Sequence, residues 1–140
     1  MEVTLQRPLP DGIGRVSQWF GENPDWYAKF GMAGHPGIDY AVPVGTPVLA
    51  AHAGRCTIGD DPTGYGTFIR ITSFDDDMQT LYGHLNAVLV TQGERVERGQ
   101  SIGNSGDTGN STGPHVHWGL KLLKGRNPAY RDWVDPAPWR

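Results

Sequence analysis

The sequence predicts a mainly β protein built from many short strands joined by tight turns, and three observations predict it. Glycine supplies 20 of the 140 residues, about twice the ~7% of average usage. Eleven prolines add further breaks, and two segments alternate apolar and polar side chains with the period of a strand. Hydrophobic residues make up 37% of the chain, ample for a core, so disorder is not expected. The length suits one domain, taken as residues 1–140.

Residues 1–34 read as irregular, with a short strand at 15–20 and one helical turn at 25–30, where Pro24 and Asp25 supply start signals. Beyond them Ile38, Tyr40 and Val42 alternate with Gly37, Asp39 and Ala41, which places Asp39 on the face opposite three apolar side chains. Residues 47–51 and 55–59 are expected to pair around Gly54, and residues 67–73 and 78–85 to form a hairpin with Ile69 and Ile71 on one face. Its turn, Phe74-Asp75-Asp76-Asp77, is too short in ligand spacing for a calcium loop and reads as a solvated turn. Glycines around short apolar pairs at 93–103 suit sharp β-corners, and GNSGDTGNSTGP at 103–114 is a loop. It leads into the clearest strand, where Val116, Trp118, Leu120 and Leu122 form an apolar face. The other face presents His115, His117, Gly119 and Lys121.

Composition limits the chemistry. Twelve Lys plus Arg against 15 Asp plus Glu give a net charge of −3, which argues against a nucleic-acid partner. Cys56 is the only cysteine, so an intrachain disulfide and a cysteine-rich zinc site are both excluded. It reads as a small core hydrophobe. The first residues lack a basic start followed by an apolar run, and nowhere do 18 apolar residues occur together. Neither a signal peptide nor membrane insertion is therefore expected.

The histidines carry the functional signal. His115 and His117 share a strand face with Cα atoms ~6.6 Å apart, close enough to converge on one ion or reacting atom. In His35-Pro36-Gly37-Ile38-Asp39 the i, i+4 pair would suit a helix, but Pro36 and Gly37 disfavour one. On a straight strand the pair would lie ~13 Å apart, so the chain must bend at Pro36-Gly37 if His35 and Asp39 are to share a metal. Two histidines and an aspartate would make a three-ligand zinc site with an open fourth position, suited to amide hydrolysis. With no H-E-x-x-H helix, the remaining histidines are the candidate acid and base, and His84 in Tyr82-Gly83-His84-Leu85 can reach the same groove. His52 reads as a surface turn residue, Trp19, Trp118, Trp133 and Trp139 as packing groups, and Trp26 and Tyr27 as packing or groove residues.

At these residues the chain resembles the M23 family of zinc metallopeptidases, the lysostaphin and LytM type that cuts peptidoglycan peptides. The likeness runs through Trp19-Phe20-Gly21, His35-Pro36-Gly37-Ile38-Asp39, Gly45-Thr46-Pro47-Val48-Leu49-Ala50, Gly64-Tyr65-Gly66, Tyr82-Gly83-His84-Leu85, Gly99-Gln100-Ser101-Ile102-Gly103 and Ser111-Thr112-Gly113-Pro114-His115-Val116-His117. Carried over by position, it implies one Zn²⁺ held by His35, Asp39 and His117, with His84 and His115 as the catalytic pair. His115 would act as the base, with His84 and the metal stabilising the oxyanion. The implied fold is a twisted antiparallel β-sheet of the duplicated-hybrid-motif type. Its groove would be walled by the loops at 23–34, 59–66, 73–78 and 103–114.

The resemblance implies a peptidoglycan endopeptidase acting, as a monomer, on the bacterial cell wall. The expected delivery is by precursor processing, a phage lysis system or a virion. Either D-alanyl cross-links or glycine bridges would fit, and direct cross-links are the expectation. Residues 22–34 reshape one groove wall, and Gly119 stands where many relatives carry a carboxylate, so a partner for a ligand must come from elsewhere. No inhibitory pro-segment or basic wall-targeting domain is recognised. A silent zinc-binding module of the same fold is the alternative, disfavoured because all five site residues are in place. A soluble protease of ordinary proteins is a further possibility. A lipoyl-type carrier is rejected, because Lys29, Lys121 and Lys124 do not sit at a hairpin tip.

Overall fold

The computed structural model describes residues 4–139. Within them the chain forms β1 (Arg15–Gln18), a short helix α1 (Pro24–Ala28), β2 (Ile38–Ala41), β3 (Pro47–Leu49), β4 (Gly54–Asp61), β5 (Gly66–Thr72) and β6 (Met78–Gly83). There follow β7 (Leu85–Val88), β8 (Arg95–Val96), β9 (Ser101–Ser105), β10 (His115–Leu122) and β11 (Trp133–Val134), with 3₁₀ turns at Pro128–Tyr130 and Ala137–Trp139.

Two antiparallel sheets result. The larger runs β1-β2-β10-β6-β5-β4-β8, with β11 added beside β10, and the smaller runs β3-β9-β7. The alternation read from the sequence sets β10 at the centre of the larger sheet: Val116, Trp118 and Leu120 are fully buried, each such apolar side chain contributing about 1.5–3 kcal/mol. They pack with Ile38 and Tyr40 of β2, Ile69 and Ile71 of β5 and Tyr82 of β6 in one core. Leu5 and Leu9 of the irregular N-terminal segment are buried in it too.

The hairpin closes as expected, Ile71 facing Thr80 and Ile69 facing Tyr82 across β5 and β6, and Cys56 is buried. Other expectations fail. Residues 47–51 and 55–59 do not pair around Gly54: β3 pairs with β9, and β4 pairs with β5 and β8. The segment between them passes from the smaller sheet to the larger, so its two flanks find different neighbours.

His52 is not a surface residue but is 7% exposed. Its Nδ1–H donates to the Ala53 carbonyl at 2.9 Å, leaving Nε2 to accept from the Thr80 hydroxyl at 2.9 Å. The Thr80 and Tyr82 hydroxyls lie 2.7 Å apart, and the Ala51 amide donates to Tyr82 at 2.9 Å. This closed chain of polar partners is what makes the burial tolerable. Desolvation lowers the His52 pKa, so the ring stays neutral. Trp19, expected as a packing group, is 45% exposed, while Trp118 and Trp133 are buried.

Candidate metal centre

The bend required at Pro36-Gly37 is present immediately before β2. It returns His35 so that its Nε2 lies 3.1 Å from Asp39 Oδ1. Asp39 and His117 are cross-strand partners in the β2–β10 ladder, and His117 Nδ1 stands 3.0 Å from the same carboxylate oxygen. His35 Nε2 and His117 Nδ1 are 3.2 Å apart, so three potential donor atoms form a nearly equilateral triangle. Ligands ~2.1 Å from a tetrahedral zinc stand ~3.4 Å apart, a few tenths of an ångström more than these separations.

Protonation points the same way. His35 Nδ1–H donates to the Trp19 carbonyl at 3.2 Å, which leaves a lone pair on Nε2 facing the triangle. Burial opposes the charge on Asp39, but the His117 and His35 imidazoles beside it outweigh that cost and hold the carboxyl well below the usual range. Burial pushes the His117 imidazole down to about 4, against the pull of Asp39. A neutral His117 beside an ionised Asp39 is the protonation state a cation requires. His117 Nε2 is buried without a hydrogen-bond partner among the described residues, so no acceptor replaces the side chain that Gly119 lacks. The ring is positioned instead by Tyr65, 5.1 Å away, and by an edge contact with His35 at 5.0 Å.

His84 and His115 lie beside the triangle, their rings 4.4 Å apart. His84 is a corner: it follows β6 of the larger sheet, precedes β7 of the smaller, and takes φ +60°. That left-handed conformation costs a non-glycine residue about 1–2 kcal/mol. Its amide donates to the Tyr65 carbonyl at 2.6 Å, and its Nδ1–H to the Thr108 carbonyl at 2.6 Å. Gly66, at φ +64°, lets the loop carrying Thr108 come this close, because a Cβ there would overlap the Thr108 backbone. His115 Nδ1–H donates to the Gly113 carbonyl at 2.8 Å, with the Ser111 hydroxyl at 3.2 Å, and its Nε2 is 3.6 Å from Asp39 Oδ2. With Nδ1–H committed in each ring, Nε2 is the nitrogen left to accept a proton. Burial and then His115 influence His84 in the same direction, lowering its pKa, although the Thr108 contact opposes them.

All five residues singled out in the sequence line one groove of about 640 Å³. Trp26, Tyr27 and Phe30 form part of one wall and Thr63, Gly64, Ser111 and Thr112 belong to others. The expected wall at 73–78 is absent from the lining: that turn folds on itself through Ser73 and pairs Asp77 with Lys124 at 2.5 Å. Arg131 lines the groove instead. The sequence offered no signal for it, since it follows the last recognisable motif.

Gly37 holds the centre together through its missing side chain. A Cβ there would overlap the Trp118 carbonyl and stand 2.8 Å from His117 Cε1. Gly37→Ala is expected to weaken metal binding at least tenfold and lower the Tm by several degrees. Metal titration and thermal melting check this, and unchanged affinity would show that the close approach is dispensable.

Two imidazoles and a carboxylate converging in a groove, on an antiparallel β scaffold, define the class: a β protein with a candidate metal site in its groove. Comparison with known proteins specifies it further. The sequence pattern described as Peptidase family M23 matches residues 33–131, and the chain belongs to that family. It is 39% identical over 126 residues to the peptidoglycan DD-endopeptidase ShyA of Vibrio cholerae, covering 90% of this chain and 29% of that protein. The chain thus spans less than a third of that relative's length. Among solved structures, the catalytic domain of the antimicrobial peptidase lysostaphin from Staphylococcus simulans superposes with a TM-score of 0.76 at 30% identity, covering 89% of this chain and 90% of that one. A zinc-containing peptidase from Vibrio cholerae gives a TM-score of 0.76 at 29% identity, covering 96% of this chain and 39% of that one.

Proposed function

We propose that this chain is a zinc-dependent endopeptidase that hydrolyses peptide bonds in peptidoglycan and acts on the bacterial cell wall. The observation that carries the reading is the triangle of His35 Nε2, Asp39 Oδ1 and His117 Nδ1, three electron-pair donors within 3.2 Å of one another. One proton shared among them cannot satisfy three donors, whereas one divalent cation can. Zinc suits two imidazoles and a carboxylate, and when bound it supplies a Lewis acid that polarises a carbonyl and acidifies water.

The chain's own residues do the rest. Asp39 contributes the negative charge and orients both ligand imidazoles, while Trp19 fixes the tautomer of His35 through its carbonyl. His115, tied at Nδ1 to Gly113, takes a proton from the attacking water at Nε2 and later returns it to the leaving amine. The His84 ring centre stands 4.4 Å from that of His115, on the same side of the donor triangle's groove. Because its Nδ1–H is committed to Thr108, His84 can donate to an oxyanion only from a protonated Nε2. The groove walls exclude water and hold the peptide extended.

Support for wall peptides over ordinary proteins comes from the likeness to ShyA, a peptidoglycan DD-endopeptidase. Among the described residues no helix is long and apolar enough to cross a membrane. Digestion of purified peptidoglycan alongside casein by the zinc-loaded chain tests the proposal. New muropeptides with intact casein are expected; cleaved casein with intact wall would overturn it.

A further inference from the structure

A second recess of about 580 Å³ adjoins the groove, and Met32, Tyr65 and Arg131 line both. Its lining carries Arg70, Lys121, Arg126 and Arg131 against a single carboxylate, Asp132, in a chain whose net charge is −3. Asp132 is already engaged by Arg126 at 3.2 Å. Arg70, Lys121 and Arg131 form no ion pair among the described residues, and Arg70 Nε is buried with no hydrogen-bond partner there. Aromatic faces hold two of these cations in place: the Arg70 guanidinium lies 5.2 Å from the Phe68 ring centre and Lys121 Nζ 4.4 Å from that of Trp133.

Like charges gathered in a recess repel one another. Burial, with repulsion from Arg70 and Arg131, lowers the Lys121 pKa although Asp132 opposes it. An anion seated among them would relieve the repulsion and find planar donors suited to a carboxylate. The position identifies the anion. Lys121 lies on the same face of β10 as His117, four residues on and so ~13 Å along the strand, the span of about four residues of extended peptide. The Tyr65 ring, which lines both recesses, has its centre 5.1 Å from that of His117 and 6.5 Å from that of Trp133.

We propose that Arg70, Lys121 and Arg131 form a carboxylate-binding subsite that selects peptide substrates bearing a free carboxylate within a few residues of the scissile bond. This rests on the endopeptidase reading and narrows it, because a cross-linked stem peptide carries such carboxylates and a glycine bridge does not.

The test compares a cross-linked stem-peptide dimer having free carboxylates with the same dimer converted to carboxamides. For the zinc-loaded chain kcat/KM is expected to favour the free acid by on the order of tenfold, chiefly through KM. Lys121→Met, which keeps the packing on Trp133, and Arg131→Gln should each reduce the preference, and the double variant, with Arg70 alone remaining, should reduce it further. Calorimetric binding of the two dimers to the metal-free chain should show the same preference and the same loss. Equal handling of acid and amide by the native chain, or a preference undiminished in the double variant, overturns the subsite. Selective binding of the acid with no hydrolysis of either dimer would instead overturn the endopeptidase reading and leave the subsite standing.

Discussion

His115→Ala is expected to lower kcat/KM on a wall peptide by about 10²- to 10⁴-fold while the chain keeps its metal. The reason lies in the geometry. His115 Nε2 is 3.6 Å from Asp39 Oδ2, beside the triangle and not a corner of it, and its Nδ1–H is anchored by Gly113. Removing the ring takes away a proton acceptor and leaves three donor atoms in place. Turbidity loss of wall suspensions gives the activity and elemental analysis the metal content. Loss of metal with activity would make His115 a ligand, and full activity would remove it from the chemistry.

The second large effect is expected at Asp39. Asp39→Asn preserves volume but removes the charge on which His35 and His117 converge. Metal content should fall to background and activity by more than about a thousandfold, since the polarised carbonyl and the proton acceptor act as a unit. The metal-free variant should also be less stable than the metal-free native chain at neutral pH, because the surroundings that depress the Asp39 pKa favour its charged form and that contribution goes with the charge. Adding zinc should raise the Tm of the native chain and not that of the variant. A zinc-dependent shift in Asp39→Asn would overturn this carboxylate's part in holding the metal.

How far these features were legible depends on the range over which each is determined. The faces of β10 follow from strict alternation, and the bend at Pro36-Gly37 follows from two residues that forbid a helix. Both are local. That Asp39 lies opposite His117 is a matter of register between strands far apart in the chain, and spacing alone could not show it; the resemblance supplied the ligand set. His52 was misjudged because its burial depends on Thr80 and Tyr82, which bring it polar partners from another strand. Arg70, Lys121 and Arg131 look like unrelated surface charges until β5, β10 and the residue that ends the first 3₁₀ turn gather around one recess. Trp19 carries no periodic signal, so its exposed ring was equally illegible, although its carbonyl serves His35.

The β2–β10 ladder has a kinetic consequence. Register pairs such as Asp39 with His117 join residues 78 positions apart, and such distant pairings form slowly because chain entropy must be surrendered before they reward it. Local hairpins such as β5–β6 can form early, but the donor triangle exists only when that ladder closes. Metal capture would then come after the topology is complete, acting as a latch on a finished sheet rather than a seed for its assembly. Chelation during refolding should consequently leave the folding rate nearly unchanged and accelerate unfolding, with the latch missing.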